Sequence, residues 1–341
     1  MHLTPTASPL RASPAGPKAA AARIAVVIVN YRTAELTIQC LESLQPVLDE
    51  CDYVSAYVVD NASGDDSPAL IENAIRENDW RWARLVQAKR NGGFAYGNNV
   101  GMAAAEDDHE TPFDAYWLLN SDTIVRPGAL KALVDALDVE CGVGIVGSRL
   151  EDPDGSAQIS AFRFHTAGSE LARGLNLGVW FRLFPSAEIA PAQDDARELA
   201  DWVAGASMLI DRKVIDQVGL LDEDYFLYYE EVDYCLRARR LGWKTSYVSA
   251  SRVVHLVGQS SNVTERSSAA RRLPKYWFES RAKYFEKNYG RGARVLADVG
   301  WLAGHLLYRA RRVLQNKHDQ IPKRLVTDFI LYNLSPLNRV H

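Results

Sequence analysis

The sequence predicts an α/β fold in which a mostly parallel sheet is covered by helices on both faces. Short apolar runs that end in polar residues alternate with helical patterns through residues 23–150, as they do when crossover helices join parallel strands. Of the 341 residues, 47% are hydrophobic and 24% are charged, so the chain can bury a large core. This composition excludes an intrinsically disordered protein, a collagen-like fibre and a disulfide-stapled mini-domain.

Four strands and three helices are predicted in the first half. The strands are apolar runs at Ile24–Val29, Tyr57–Asp60, Arg84–Ala88 and Ala115–Asn120. The helices are the segments of helical periodicity between them, at Thr33–Leu44, Ser67–Glu77 and Tyr96–Glu106. In a parallel sheet the residues that follow the strands gather at one edge, where ligands bind. Here these residues are Asn30 to Arg32, Asp60 with Asn61, Asn91 to Gly93, and Asn120 to Asp122.

The second half is predicted to be less regular. A helix over Pro127–Asp138 leads to a strand over Val143–Leu150, which ends at the Asp152-Pro153-Asp154-Gly155 turn. Residues 165–200 are expected to form an irregular, variable loop. Regular structure then returns at Trp202–Ile210, in a helix at Glu230–Leu241 and in a strand near Thr245–Val254.

One glycine pattern in this half imitates a dinucleotide site. Gly142 to Gly147 match G-x-G-x-x-G letter for letter. The fingerprint requires a strand before the motif and a helix after it. Here a helix precedes the motif, and Ile145 and Val146 themselves have strand character. We therefore expect glycines at a strand entrance and not a dehydrogenase.

Cysteine spacing and charge narrow the functional classes further. The four cysteines lack C-x-x-C spacing, which indicates reduced core thiols and neither a zinc site nor a disulfide framework. The net charge of −4 and the lack of a recognised binding motif argue against nucleic acid as a partner. No apolar run reaches the length of about 18 residues that a membrane-spanning helix needs. The cysteines are Cys40, Cys51, Cys141 and Cys235.

We divide the chain into four segments. Residues 1–22, rich in proline and alanine, are expected to be a disordered leader, residues 23–150 and 151–262 to be two halves of one domain, and residues 263–341 to be a basic amphipathic helical region. Residues 266–324 contain 15 lysines and arginines against 4 acidic residues, interleaved with aromatic residues. Such a segment suits an anionic membrane surface, but a helical pair packed on the core explains it equally well.

Two polar stretches carry the candidate chemistry. Asp122 follows an apolar run and is flanked by Asn120, Ser121 and Thr123. A carboxylate in this setting suits a hard cation such as Mg²⁺, although such tetrads also form plain Asx turns. The acidic run Asp222–Asp233 leads into the predicted helix at Glu230. The helix dipole accounts for one or two of these carboxylates, but less easily for a cluster flanked by aromatic residues.

Taken in order, the motifs resemble those of family 2 glycosyltransferases, and within them the bacterial rhamnosyltransferase-like branch. Residues 24–259 contain them in the family's order. They are V-I-V-N-Y, V-D-N-x-S, N-x-G-F-x-x-G-N-N-x-G, L-L-N-x-D-T, G-A-x-x-L-I-x-R, F-x-Y-x-E-D-V-D-x-C-x-R with G-W, and a late strand that ends in histidine. This chain departs from them at one position, where Glu231 replaces the Asp of E-D.

The resemblance implies a GT-A fold and an inverting, metal-dependent transfer of one sugar from a nucleotide-diphosphate donor. Residues 23–150 would be the nucleotide-sugar half, and residues 151–262 the acceptor and catalytic half. Asp122 would ligate Mg²⁺ or Mn²⁺ on the diphosphate, and His255 falls where some members have a second metal ligand. The implied donor-binding residues are Asn30, Tyr31, Asp60, Asn61, Asn91, Gly93, Phe94, Asn98 and Asn120.

The resemblance also implies a catalytic base and an acceptor side. Glu231 falls where the family usually has a catalytic Asp, and the following V-D-x-C-L-R fixes the frame, which favours Glu231 over Glu230 without excluding Glu230. The Q-x-x-R-W signature of processive relatives is absent. The implied acceptor-side residues are Trp202, Gly205, Ala206 and Glu230.

The leading hypothesis is thus a glycosyltransferase of cell-surface polysaccharide assembly, cytoplasmic or peripheral on the inner face of the cytoplasmic membrane. Branch resemblance favours dTDP-rhamnose as the donor and a saccharide or polyprenyl-linked acceptor. A nucleotidyltransferase that makes the activated sugar would need a glycine-rich loop after the first strand, where Asn30-Tyr31-Arg32 has none. A catalytically inactive binding scaffold of the same fold is the non-enzymatic alternative. Donor sugar, acceptor and oligomeric state stay open.

Overall fold

The computed structural model describes residues 22–108, 111–191, 198–256, 272–316, 322 and 324–334. The predicted leader lies outside the described residues except for Ala22. This alanine is buried, and its carbonyl oxygen accepts a hydrogen bond of 3.3 Å from the backbone N–H of Tyr53. Ala22 therefore already belongs to the folded part of the chain.

The strands and helices predicted in the first half are confirmed. The strands are β1 (Arg23–Asn30), β2 (Tyr53–Asp60), β3 (Ala83–Gln87) and β4 (Ala115–Asn120). The helices are α1 (Ala34–Leu44), α2 (Ser67–Glu77) and α3 (Gly93–Asp108), with a short 3₁₀ helix at Gln45–Glu50. Strand β2 begins four residues earlier than predicted, because Ser55 interrupts the apolar run yet is buried and donates a hydrogen bond to the carbonyl oxygen of Trp82.

The second half contributes shorter strands and the longest helix. The strands are β5 (Thr123–Val125), β6 (Val143–Glu151), β7 (Ala161–Phe162), β8 (Glu198–Ala200), β9 (Trp202–Val203), β10 (Ser207–Asp211) and β11 (Lys244–His255). The helices are α4 (Ala129–Ala136), α5 (Ala167–Leu175), α6 (Gly178–Leu183), α7 (Arg212–Val218), α8 (Glu230–Arg240), α9 (Lys275–Leu314) and α10 (Leu325–Phe329). A 3₁₀ turn at Pro185–Ala187 and a π turn at Ile330–Leu334 complete the described elements.

Nine of the described strands form one mixed sheet, in the order β3-β2-β1-β4-β10-β6-β11-β5, with β8 paired to β11. Strands β1 to β4 are parallel to one another, as are β6 and β11, whereas β10, β5 and β8 run antiparallel to their neighbours. Strand β6 confirms that the G-x-G-x-x-G pattern is a strand entrance. The predicted α/β class, with a mostly parallel mixed sheet, is also confirmed.

Alternating residues of β1 show why helices cover both faces of the sheet. Ile24, Val26 and Ile28 point into a core shared with α1, α2 and α4. Ala25 and Val27 point into a second core shared with α3, α7 and α8. Successive side chains of a strand face opposite ways, so a strand that is apolar at every position needs a layer of helices on each side.

The prediction of an irregular loop over residues 165–200 is wrong for α5. This helix begins with a capping box in which Thr166 accepts a hydrogen bond from the backbone N–H of Ser169 and the Ser169 hydroxyl accepts one from the backbone N–H of Thr166. Ser169 stands where the capping-box signature has Glu or Gln, so the sequence contains no clear signal for this helix start. The prediction of core thiols also fails at one position, because Cys141 is exposed while Cys40, Cys51 and Cys235 are buried.

Helix α9 consists of two parts that meet at Gly290. The backbone there has φ of 85° and ψ of 167°, a conformation that is accessible to glycine and strained for other residues. An added Cβ at Gly290 would meet no atom within 4 Å, so the backbone angle, and not crowding, requires glycine. The part before Gly290 contacts the loop ahead of α8, and the part after it packs on α5.

Candidate active site

Strand pairing brings the predicted rim residues to one edge of the sheet. Asn30 pairs in register with Asp60, and Val29 pairs with Asn120, so β1, β2 and β4 end side by side. The edge is therefore formed by polar residues from three parallel strands.

The buried part of this edge is braced internally. The Asn30 side chain donates a hydrogen bond of 2.8 Å to Asp60 Oδ1, and its own oxygen accepts one of 3.0 Å from the Thr37 hydroxyl. Asp60 also accepts bonds from the backbone N–H and the hydroxyl of Ser63. Tyr31 stands outside this network, with 37% of its surface exposed. Asn30 and Asp60 thus fix the shape of the rim, and Tyr31 presents a ring to solvent.

A glycine loop continues the rim toward the second half of the chain. The Asn61 amide donates hydrogen bonds of 3.1 Å to Asn91 Oδ1 and 3.0 Å to the carbonyl oxygen of Gly93. Asn98, which is buried, donates one of 2.9 Å to the carbonyl oxygen of Phe94. The two Asn61 bonds hold the start of α3 against the end of β2, and the Asn98 bond lies within the first turns of α3.

Phe226 is a contact that the sequence reasoning missed. Its carbonyl oxygen accepts a hydrogen bond of 2.9 Å from the backbone N–H of Phe94. A Cβ built on Gly93, whose φ is 83°, would lie 1.8 Å from that oxygen. Glycine is therefore required at position 93 by both its backbone angle and the close approach of Phe226. The glycine loop and the segment ahead of α8 consequently form one surface.

Asp122 and His255 lie together on this edge because of strand pairing. Strand β5 runs antiparallel to β11 with Thr123 opposite His255, and Leu256 donates a hydrogen bond of 2.9 Å to the carbonyl oxygen of Asp122. His255 Nε2 is 3.5 Å from Asp122 Oδ1 and 3.4 Å from Asn120 Nδ2. Asn120 at the end of β4 and Asp122 just after it therefore meet His255, which is more than 130 residues later in the chain.

This group suits a cation that is shared with a ligand. Over the described residues, no set of three or more His, Cys, Asp or Glu side chains lies close enough to enclose a metal ion. Mg²⁺ bound with a nucleotide needs no such cage, since it commonly takes one or two protein ligands and fills its remaining positions with phosphate oxygens and water. Asp122 with His255 fits that pattern.

Glu230 and Glu231 start α8 on the other side of the rim. Tyr228 and Tyr229 ahead of them are both left-handed, with φ of 70° and 69°, and Tyr229 is the N-cap. Glu230 is only 3% exposed, whereas Glu231 is half-buried. The Oε2 atom of each has no hydrogen-bond partner among the described residues.

The rest of α8 anchors these two carboxylates. The predicted core residues Val232, Cys235 and Leu236 are buried, and the predicted pair forms with Asp233 Oδ2 at 2.9 Å from Arg237 Nε. Arg237 also donates to the carbonyl oxygens of Val218 and Leu220. This arginine is therefore committed to protein groups and is a poor candidate for binding phosphate.

Burial makes both glutamates weak acids. Burial raises the pKa of Glu231 to about 7, while backbone hydrogen bonds from Glu231, Val232 and Gly205 act in the opposite direction. Burial, and after it the charge of Glu231, raises the pKa of Glu230 well above its usual value. The two neighbouring carboxyls therefore titrate as a pair. A carboxyl with a pKa of about 7, as at Glu231, can both hold and release a proton at neutral pH.

Gly205 and Ala206 connect the two sides of the site. A Cβ built on Gly205 would lie 3.2 Å from Phe94 Cε1 and 3.8 Å from Glu231 Cβ. The next residue, Ala206, accepts a hydrogen bond of 3.0 Å from the backbone N–H of Asn120. The base candidate and the end of β4, two residues before Asp122, therefore approach the same short stretch of chain.

Trp202 forms an aromatic wall close to that stretch. Its ring stacks on Phe162 with centroids 4.1 Å apart, and its Nε1 donates a hydrogen bond of 2.9 Å to the carbonyl oxygen of Arg163. The Arg163 guanidinium in turn donates to the carbonyl oxygens of Pro185 and Glu188. Trp202 is thus rigidly placed, and Arg163, like Arg237, is engaged by protein groups.

A buried ionic cluster supports the site from behind. Arg281 donates a hydrogen bond of 2.8 Å to Glu170 Oε2 and one of 2.5 Å to Asp298 Oδ1. Arg173 adds a second bond to Glu170, at 2.7 Å. Burial alone would raise the pKa of Glu170, but Arg173 and Arg281 together hold it below its usual value. We call Glu170, Arg281, Asp298 and Arg173 the paired cluster.

The paired cluster reaches the site through aromatic rings. The Tyr229 ring, directly before Glu230, lies 5.0 Å from the His165 ring and 5.4 Å from the Tyr284 ring. His165 Nδ1 is 3.4 Å from Glu170 Oε1. Local spacing in the sequence could not have predicted the contact between Arg281 and Glu170, because these residues are 111 positions apart.

Comparison with known sequences gives a consistent result. The family described as "Glycosyltransferase like family 2" matches residues 21–273. An N-acetylglucosaminyl-diphospho-decaprenol L-rhamnosyltransferase of Mycobacterium tuberculosis is 29% identical over 246 residues, which cover 67% of this chain and 75% of the relative. The rhamnosyltransferase WbbL of Escherichia coli K12 is 26% identical over 164 residues, 48% of this chain and 60% of that protein.

Solved structures share the fold at much lower identity. The mannosyltransferase PcManGT from Pyrobaculum calidifontis, in complex with GDP-Man and Mn²⁺, superposes with a TM-score of 0.55 and 13% identity, covering 97% of this chain and 86% of its own. GalNAc-T7 with UDP, GalNAc and Mn²⁺ superposes with a TM-score of 0.51 and 14% identity, covering 92% of this chain and 57% of its own.

Proposed function

We propose a specific reaction for this chain, which belongs to the glycosyltransferase-like family 2. Membership and its rhamnosyltransferase relatives make it a glycosyltransferase of polysaccharide biosynthesis. The proposed reaction transfers one sugar, with inversion at the anomeric carbon, from a nucleotide-diphosphate donor to a saccharide or lipid-linked acceptor. The observation that carries it is the Glu230–Glu231 pair, in which both pKa values are raised and one oxygen of each carboxylate has no hydrogen-bond partner among the described residues. Glu231 lies across Gly205 from Phe94 of the glycine loop.

In the proposed step Glu231 is the general base. Its carboxylate accepts the proton of an acceptor hydroxyl, and the hydroxyl oxygen forms a bond to the anomeric carbon as the bond to the donor diphosphate breaks. Attack from the face opposite the leaving group inverts the configuration. A base with a pKa of about 7 is poised for this exchange at neutral pH. Glu231 is favoured over Glu230 because it is the less buried of the two and the one that contacts Gly205.

The donor side is proposed to hold the nucleotide and the diphosphate. Tyr31, Asn91, Phe94 and Asn120 provide the accessible part of the rim, and the buried residues Asn30, Asp60, Asn61 and Asn98 keep it in shape. Asp122 with His255 would hold a divalent cation, Mg²⁺ or Mn²⁺, which neutralises the negative charge that develops on the departing diphosphate. Mn²⁺ is present in both solved structures of the same fold described above, which supports this assignment.

The relatives suggest which donor and acceptor to test first. Two of them are named as rhamnosyltransferases, which supports dTDP-rhamnose as the donor. The name of the mycobacterial relative contains a polyprenyl diphosphate sugar, which supports a lipid-linked acceptor for this chain. Such an acceptor would place the protein at the inner face of the cytoplasmic membrane.

Release of nucleoside diphosphate from a donor panel tests the proposal. The protein is incubated with dTDP-rhamnose, UDP-galactose, UDP-N-acetylglucosamine or GDP-mannose, each with and without Mg²⁺ or Mn²⁺. We expect cation-dependent release from one donor, with dTDP-rhamnose preferred. Asp122→Ala should remove the cation dependence and weaken diphosphate binding, measured as a smaller rise in melting temperature with added nucleotide. Asp107→Ala, at an exposed carboxylate on α3, is the matched control and should behave as wild type.

Two outcomes would overturn the proposal. Nucleotide binding without release from any donor, with or without a saccharide acceptor, would indicate a binding scaffold. Formation of a nucleotide sugar from a nucleoside triphosphate and a sugar phosphate would indicate a nucleotidyltransferase.

A further inference from the structure

The second part of α9 exposes a continuous apolar face. Among its side chains Leu296 is 62%, Leu307 61% and Leu314 87% exposed. We call this set the outer face. Its members are Val295, Leu296, Val299, Ala303, Leu306, Leu307, Ala310, Val313 and Leu314, all of them exposed.

Helical geometry shows that these residues form one stripe. At roughly 100° per residue, all nine fall within a sector of about 120° along about 30 Å of helix. The opposite side carries Ala297, Trp301, Gly304 and His305, which are buried. Gly304 lies against the backbone of α5, where an added Cβ would come within 2.6 Å of the carbonyl oxygen of Leu171. Packing on α5 therefore fixes this helix with its second apolar side turned outward.

The charges beside the outer face are positive. Asp298 is the acidic residue of this part of the helix, and it is buried and paired with Arg281. Arg309 is exposed beside one margin of the outer face, and Arg311, half-buried with its guanidinium over the Tyr308 ring, lies beside the other margin. An apolar stripe bordered by arginines complements a surface with an apolar interior and anionic groups at its edge.

We propose that the outer face of α9 binds the surface of an anionic lipid bilayer, with its leucines and valines among the acyl chains and its arginines at the headgroups. Such a helix lies in the interface and does not cross it. None of the described helices is long and apolar enough to span a membrane. A second copy of the chain fits the face less well, because pairing two outer faces would bring like-charged arginine margins together.

This inference deepens the proposed function by naming the surface on which a lipid-linked acceptor would be met. The first part of α9 holds the segment that leads into α8. Ser280 donates a hydrogen bond of 3.0 Å to the carbonyl oxygen of Leu227, and the Tyr276 ring lies 5.3 Å from the Phe226 ring. The two parts of α9, which meet at Gly290, thus connect the proposed lipid contact to the backbone directly ahead of Glu230.

Vesicle flotation tests the inference. The full chain is mixed with vesicles of phosphatidylcholine alone or of phosphatidylcholine with phosphatidylglycerol, and the fraction that floats is measured. We expect binding to the anionic vesicles and at least tenfold weaker binding to the neutral ones. Leu306→Glu with Leu307→Glu should reduce binding to anionic vesicles at least tenfold. Leu70→Glu, at an exposed leucine of α2, is the matched control and should float as wild type does.

Each other outcome counts against the inference. Equal flotation of wild type and the double variant, or no flotation at all, would show that the outer face is not a lipid contact. A dimer in light scattering that dissociates in the double variant, without flotation, would assign the face to self-association. Donor hydrolysis without vesicles is measured in parallel and should be unchanged in the double variant. If no donor is hydrolysed and flotation persists, the sugar-transfer proposal fails and the lipid contact stands.

Discussion

Two groups of carboxylates in this molecule have pKa values that are shifted in opposite directions. Glu170 in the paired cluster is fully buried and meets two arginines, which hold its pKa below the usual value. Glu230 is buried almost as completely, meets no cation in the described structure, and has a raised pKa beside Glu231. The fold supplies two arginines to the buried carboxylate of Glu170. The contrast supports the proposal that Glu170 has a structural role and the Glu230–Glu231 pair a chemical one.

The largest expected effect separates these two roles. Glu231→Gln should lower turnover on the order of 10²–10⁴-fold, because an amide cannot accept the acceptor's proton. Donor affinity, measured by thermal shift, should change little. The corresponding change in the paired cluster, Glu170→Gln, should instead lower the melting temperature and leave the turnover of the folded enzyme close to wild type. Steady-state kinetics at saturating donor check both, and near-normal turnover in Glu231→Gln would place the base elsewhere.

Removing the central arginine should have the next largest effect, and on stability. Arg281→Met leaves Glu170 and Asp298 buried without their shared cation, and we expect a loss of about 3–5 kcal/mol in the free energy of unfolding. Denaturant titration measures it. Arg81→Met is the control, because the pair of Arg81 with Asp79 is solvent-exposed. If both variants were equally stable, the paired cluster would not be the structural element that we take it to be.

The smallest expected effect is the pH dependence of stability. Because the pKa of Glu231 rises on folding to about 7, the folded state holds a proton that the unfolded state has lost above its own, lower pKa. This contribution to stability is present at low pH and is lost as the pH rises through about 7. Glu231→Gln cannot titrate, so it should gain on the order of 1 kcal/mol over wild type between pH 5 and pH 8. Unfolding curves at both pH values check the sign, and a gain at pH 5 instead would contradict it.

The sequence predicted the donor side of the site more completely than the paired cluster that lies behind Glu230 and Glu231. Strands β1 to β4 are apolar runs with polar ends, so their positions and their common edge follow from local pattern alone. The family motifs also pointed to Asp122, His255 and Glu231, and the structure brings the first two within 3.5 Å of each other. Their roles in binding and catalysis stay predictions until they are measured.

What the sequence could not supply depends on distant pairing. Helix α5 was missed because its apolar residues are few and its buried Glu170 looks like a surface residue. Arg173 is three residues away on the same helix, but the second cation that compensates the buried carboxylate is Arg281, on a helix more than a hundred residues later. Likewise, the need for glycine at position 93 comes from the Phe226 carbonyl oxygen across the site, and nothing near Gly93 in sequence announces it.

The two left-handed tyrosines before Glu230 set a boundary for protein engineering. Holding Tyr228 and Tyr229 in this conformation costs of order 1–3 kcal/mol each, and their ring contacts with Tyr276 and Tyr284 on α9 help to offset it. The sequence family ends at residue 273, before either of those rings. A fragment that ends at residue 273 would retain each residue proposed to touch donor or acceptor. It would lose the ring contacts that hold Tyr228 and Tyr229 in the turn before Glu230. We therefore expect the smallest catalytically active fragment to extend beyond residue 273.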